Sequence, residues 1–327
     1  MTSKYENVAV IFDTDIDMDC DDAGALAVLH ALMDLGEAQI LGVIVDVPLE
    51  PFARCVMTIN NYYNRLDIPV GLLKVDDYET NPKYDLYRKA RQWIGQRRDF
   101  YTSMVVEQFS NENIKNKKVE DAVSLYRKLL SKAEKNSVII IAVGLLSALG
   151  ELIKSEPDKY SRLNGLELVR KKVKKLVTMG IGYFPEANAE FNWRMDWESA
   201  RYVIQHWPTP LVVQSNGKEF LTGYTLSIKT PDSNPVRKCY EVYLRGPRIG
   251  NFSWDPIAAL YGVRGSEPFL DEKFGYRLLL DEEHGKNHWI PDEKNEYHHS
   301  FLQLRNPKIK IKHVIEKLIT KPPKKKD

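Results

Sequence analysis

Between Asp13 and Asp22, six of ten residues are aspartate, in the run Asp13-Thr14-Asp15-Ile16-Asp17-Met18-Asp19-Cys20-Asp21-Asp22. Carboxylates crowded this closely make one another harder to ionise. A hard divalent cation relieves that cost, because calcium and magnesium gather several carboxylate oxygens at once. The run therefore reads as a metal site rather than a solvated acidic loop, with Asp21 or Asp22 also expected to cap the helix that follows. An EF-hand is excluded, since it needs Gly at its sixth position and Glu at its twelfth. Counting from Asp13 puts Met18 and Gly24 there, and counting from Asp17 puts Asp22 and Val28.

Three later positions carry chemistry that depends on context. Asp255, directly before Pro256, reads on its own as a helix cap. Glu190 and Asn192 stand two apart, so on an extended segment their side chains would share a face. Taken alone they read as surface residues. The apolar run Val8–Phe12 leading into Asp13-Thr14-Asp15 also resembles the opening of haloacid dehalogenase-type phosphatases. There Asp13 would be the nucleophile and Asp15 the acid. That reading leaves the Asp21-Asp22 pair unused and finds no clear downstream Ser/Thr and Lys motifs.

The elements that must position these residues alternate. Apolar, β-branched runs predict strands over 8–12, 40–45, 138–143, 176–179 and 211–213, and amphipathic runs predict helices over 22–35, 51–63, 121–132, 146–153, 197–206 and 314–319. This alternation gives an α/β fold: a mostly parallel central sheet flanked by helices, an open Rossmann-like sheet. The aspartates then lie outside the carboxyl end of the first strand, where such sheets bind ligands. We expect one domain over 1–327, with insertions at 76–116 and 218–251 and a frayed basic tail at 321–327.

Composition sets the boundaries. Hydrophobic residues make up 43% and charged residues 28% of 327, ordinary globular usage. A net charge of +2 gives no reason to expect a nucleic-acid partner, and no apolar run reaches the roughly 18 residues of a membrane span. The first seven residues lack an apolar signal core, and Cys20, Cys55 and Cys239 are few, scattered and odd in number. Both point to a cytoplasmic protein without a disulfide framework. Asn251-Phe252-Ser253 has the form of a glycosylation sequon, which carries no meaning in that compartment.

Five blocks, in order, resemble the nucleoside hydrolases of the inosine-uridine-preferring family. The first is the aspartate run with Ala23–Leu26, in a form with a longer spacer between Asp-Thr-Asp and Asp-Asp-Ala. The second is Asn60-Asn61-Tyr62-Tyr63 with Asp67-Ile68-Pro69-Val70-Gly71, and the third is Ile139 to Leu146. Then come Met179-Gly180 with Ala189-Glu190-Phe191-Asn192, and finally Trp207-Pro208-Thr209-Pro210 with Ser253-Trp254-Asp255-Pro256. The resemblance spans about 7–320.

The resemblance implies calcium-dependent hydrolysis of the N-glycosidic bond of a ribonucleoside or related N-riboside, giving ribose and free base. It implies that Asp15 ligates Ca2+ and acts as general base, that Asp22 and Asp255 are carboxylate ligands, and that the Val143 carbonyl is a neutral ligand. Asp21, Glu190 and Asn192 would hold the ribose, and the protein would be a homo-oligomer, dimer or tetramer. Asp13 would support the site from behind, while Asp17 and Asp19 would shape the longer loop. Departures from the family pattern fall on other positions: Trp254 stands where a proton-donating His is common, able to stack on a base but not to protonate it. Leu145, Ser147, Ala148 and Ile181 also differ, and Asp46 falls near the place where many members carry a ribose-contacting Asn; all are expected around the sugar and base pocket. Tyr183, His284 and His288 are substitute candidates for the acid. A catalytically silent ribosyl-binding or scaffold member, and the phosphatase, remain as alternatives.

Overall fold

A computed structural model describes residues 5–180, 184–281 and 286–324. The first strand, β1 (Val8–Thr14), runs two residues further than the apolar pattern predicts, so Asp13 and Thr14 belong to the strand itself. It feeds through the aspartate loop into α1 (Asp21–Asp34). The chain continues through β2 (Ala38–Val45), α2 (Glu50–Tyr62), β3 (Val70–Leu72), β4 (Glu120–Asp121), β5 (Val138–Ala142) and β6 (Val173–Met179).

Together with three later strands these form a nine-stranded sheet in the order Leu270–Lys273, His299–Leu304, Leu211–Gln214, β6, β5, β1, β2, β3, β4. Every pairing is parallel except that of the edge strand Leu270–Lys273, which runs antiparallel to His299–Leu304. The α/β expectation therefore holds. From β1 the chain moves outward to β4 on one side, then returns to lay β5 against the other side of β1. That reversal opens a crevice beside the carboxyl end of β1.

Side chains alternate across the sheet and feed two cores. Val10, Phe12, Ile139 and Ile141 face one, and Ile11, Ile44, Ile140 and Ala142 face the other. On the first side α1 packs against the helix Trp254–Arg264. Asp255 to Val263 of that helix are all buried, so it has no polar face, which is why amphipathic periodicity does not reveal it. The segment 76–116 is not irregular: it contains the helices Asp85–Gly95, Thr102–Phe109 and Glu112–Asn116. The segment 218–251 likewise holds the helix Pro235–Tyr243. Among the described residues, four strands after residue 269 lie outside the expected set, because they are short and mix polar with apolar residues. No helix among the described residues is long and apolar enough to cross a membrane.

Candidate metal centre

The ends of three strands are laced together where the crevice opens. The Val143 amide donates to the Asp13 carbonyl at 2.8 Å, and the Asp46 amide to the Thr14 carbonyl at 3.1 Å. Just beyond, Asp21 and Asp22 occupy the first turn of α1, where the helix dipole favours negative charge. Neither caps the helix, contrary to expectation. The N-cap is Cys20, with no side-chain bond, which leaves both carboxylates free for the site.

Asp21, Asp22 and Asp255 each bring one carboxylate oxygen to within 4.8 Å of the others. All three are at least 97% buried, as is Asp15. The Asp255 amide donates to Asp21 Oδ2 at 3.1 Å, and the Thr14 hydroxyl donates to Asp22 Oδ1. Asp15 lies outside that triplet but within the same field, its acidity lowered by burial and by the charges of Asp22, Asp46 and Glu190. Burial also pushes Asp21 and Asp255 well up, with neighbouring carboxylates adding to it, and lifts Asp22 to about 8. Asp15 Oδ2 and Asp255 Oδ1 are buried without a hydrogen-bond partner. Crowded carboxyls with orphaned oxygens, and no nitrogen or sulfur among them, fit a hard divalent cation.

A pocket of about 280 Å³ opens above these groups. Its lining combines polar residues, Asp15, Asp19, Asp21, Asp22, Glu190, Asn192 and Asp255, with the apolar and aromatic Met18, Trp93, Ile94, Met179, Phe191, Tyr243 and Trp254. Glu190 and Asn192 do converge on it, though not from an extended segment. Glu190 caps the short helix Phe191–Met195, its Oε2 accepting from the Trp193 amide at 2.8 Å, and Asn192 lies within that helix. Burial raises the Glu190 carboxyl to about 7, despite backbone bonds that lower it. Asn192 Nδ2 donates to the Val143 carbonyl at 2.7 Å. Trp254 is half-buried, tilted against Phe252 with ring centroids 5.0 Å apart.

Other sequence-derived assignments fall elsewhere. Asp13 is fully buried, accepts the Tyr126 hydroxyl and is not among the pocket-lining residues, so it is poorly placed for the phosphatase nucleophile. It faces Asp46, which accepts from the Leu146 amide at 3.1 Å and is raised by burial to about 7. A Cβ on Gly144 would come 2.6 Å from Asp46 Oδ1, so the glycine leaves room for that carboxyl. Asp46, Leu145, Ser147 and Ala148 are buried and do not line the pocket, contrary to the expectation for these four departures. Ser147 instead donates to Asp196 at 2.6 Å. His288 stands beside Glu186 at 3.5 Å, away from the pocket, while Ile181, Tyr183 and His284 lie outside the described residues. Thr14, Trp93, Phe191 and Tyr243 were not singled out from sequence. For Trp93, which is 57% exposed, nothing in the sequence sets it apart from the other aromatic residues of the same polar, aromatic insertion.

The family model described as inosine-uridine preferring nucleoside hydrolase matches residues 10–264. No curated protein matches the chain. An inosine-guanosine nucleoside hydrolase structure is similar at a TM-score of 0.69 and 18% identity, covering 96% of this chain and 98% of its own. A purine-preferring ribonucleoside hydrolase from Gardnerella vaginalis follows at 0.67 and 16%, covering 95% and 98%. The type III effector protein XopQ complexed with adenosine diphosphate ribose aligns at 0.63 and 14%, covering 96% and 94%. At these identities the structural likeness speaks to the fold.

Proposed function

Because this chain belongs to the inosine-uridine preferring nucleoside hydrolase family, and is thus a hydrolase of N-glycosyl bonds, we propose that it cleaves a ribonucleoside or related N-riboside in a calcium-dependent reaction. The observation that carries this is the buried triplet Asp21, Asp22 and Asp255 at the floor of a pocket that also contains Asp15, Glu190 and Asn192.

Asp15, Asp22 and Asp255, with the Val143 carbonyl, would hold Ca2+. Asp21 is close enough to join them through the same triplet. When bound, the cation neutralises the carboxylates and makes a water it touches a better proton donor. Asp15 is the general base: it lines the pocket and its buried Oδ2 has no hydrogen-bond partner, which leaves it able to accept a proton. Asp21, Glu190 and Asn192 hold the ribose hydroxyls as charge develops on the sugar in an oxocarbenium-like transition state. Trp254 stacks on the leaving base. The apolar residues lining the pocket exclude water from the departing group.

The corresponding cellular picture is a cytoplasmic enzyme, assembled as a homodimer or tetramer, with a small-molecule partner and no nucleic acid. The test is reducing-sugar release from a panel of purine and pyrimidine nucleosides, extended to adenosine diphosphate ribose, with and without chelator. Chelator-sensitive release that disappears in Asp15→Ala supports the hydrolase reading. Absence of release across the panel, with calcium still bound, would favour the silent ribosyl-binding alternative.

A further inference from the structure

Asp17 is not part of the carboxylate triplet and does not line the pocket, yet it is wholly buried with φ at 115°. Glycine adopts that backbone shape freely and other residues do so only under strain. Three bonds hold the side chain. Its Oδ1 accepts from the amides of Tyr101 at 2.9 Å and Thr102 at 3.0 Å, where the helix Thr102–Phe109 begins, and its Oδ2 pairs with Arg91 Nη2 at 2.8 Å.

Arg91 in turn lies over the Phe100 ring, 3.8 Å from its centroid, and over Phe52 at 5.0 Å. On the same face of the helix Asp85–Gly95, Tyr87 stands four residues before Arg91 and Ile94 three after. Tyr87 is buried in the field of Asp15, whereas Ile94 and the adjacent Trp93 line the pocket. The Tyr101 hydroxyl donates to the Asp19 carbonyl at 2.8 Å, a second tie between the same two segments. The aspartate loop and the 76–116 insertion are therefore docked together through Asp17.

We propose that Asp17 is a positioning residue that fixes the helix Asp85–Gly95 against the aspartate loop and so sets Trp93 and Ile94 at the pocket mouth, where they select the leaving group. This rests on the riboside reading above. A glycine here would hold the backbone without strain but would supply none of the three bonds, which makes Asp17→Gly the informative variant.

Four quantities are compared between wild type and Asp17→Gly: exchange of the Tyr101 and Thr102 amides, the calcium-induced rise in Tm, and binding of D-ribose and of 9-deazainosine. The last is a nucleoside whose carbon–carbon glycosidic bond does not hydrolyse. The expected result is exchange at least tenfold faster at both amides, a calcium-induced rise that is retained, and ribose binding within about twofold of wild type. 9-Deazainosine binding weakens at least tenfold. Arg91→Met, which keeps apolar contact with the phenylalanines and leaves both amide bonds but removes the ion pair, repeats the calcium, ribose and 9-deazainosine comparisons should the glycine variant not fold. Unchanged 9-deazainosine binding despite faster exchange would overturn the proposal, as would loss of the calcium-induced rise, which would assign Asp17 to the cation site. None of these readouts requires bond cleavage, so wild-type turnover tests the hydrolase reading separately.

Discussion

The side-chain amide of Asn192 donates to the backbone carbonyl of Val143 at 2.7 Å, joining a proposed sugar-binding residue to a proposed cation ligand. Asn192→Asp has the same shape but turns a donor into an acceptor facing that carbonyl. We expect about 1–3 kcal/mol of lost stability in urea unfolding, the usual cost of a buried carbonyl without its partner. kcat/KM should fall at least tenfold, equivalent to about 1.4 kcal/mol. A variant with wild-type stability and turnover would show the bond to be incidental.

The triplet also predicts an effect whose sign depends on the cation. Without metal, burial raises the Asp255 carboxyl and the charges of Asp21, Asp22, Asp15 and Asp19 raise it further, while Asp19 and Asp22 add to the effect of burial on Asp21. Asp255→Asn removes one of the crowded carboxyls, so in chelator its Tm should equal or exceed that of wild type. In millimolar calcium the order should reverse, because a ligand that binds only the folded state stabilises in proportion to its affinity. Differential scanning calorimetry in both conditions reads this directly. A lower Tm for Asp255→Asn in chelator would contradict it.

Asp15→Ala should reduce kcat by about 10²–10⁴, the range for loss of a positioned general base. Asp15→Asn keeps the shape and hydrogen-bonding capacity but cannot accept the proton, so it should be impaired to a similar extent. Recovery of activity in the asparagine variant would mean that Asp15 orients rather than accepts.

Two buried histidines each contribute a share of stability that acid removes. Burial and Arg65 lower His30 to about 3, while its Nε2 lies 2.8 Å from Asn60 Oδ1. Burial and Arg277 lower His299 to about 4. Because both folded values lie below the ordinary 6.5, the unfolded chain binds the extra protons, and the stability that these two histidines contribute is lost as pH falls through 6.5. For His30 this amounts to about 2 kcal/mol between neutrality and pH 5. His30→Gln should therefore show a smaller drop over that interval in urea unfolding, by about that amount. Equal drops in the two proteins would place the acid sensitivity elsewhere.

Trp254→Ala should weaken nucleoside binding by about 1–3 kcal/mol, the usual worth of one base stacked on an aromatic ring. Ribose binding should not change. Competition between inosine, uridine and ribose measures the difference, and equal losses for all three would assign Trp254 to packing.

The parallel sheet and the aspartate cluster were legible because both depend on local pattern: β-branched runs for β1, β2 and β5, and residue type alone for Asp13 to Asp22. The helix Trp254–Arg264 was not, since burial on every side erases the polar stripe that periodicity detects. Nor were the helices of 76–116, whose polar residues resemble a loop until the Asp17–Arg91 pair is seen to anchor them. The distinction between Asp13 and Asp15 is likewise tertiary. They stand two residues apart, one near the end of β1 and one opening the loop, but Asp13 ends under Tyr126 while Asp15 reaches the pocket.

The hydrogen bond from the Asp255 amide to Asp21 spans 234 residues. The site thus needs two segments far apart in the chain, so a ribosome-bound chain that has emerged only through β6 contains the aspartates without their counterpart. Closing so long a loop costs entropy that local structure cannot offset. Cation uptake should therefore come late in folding, making bound calcium a marker of molecules whose carboxyl-terminal third has docked.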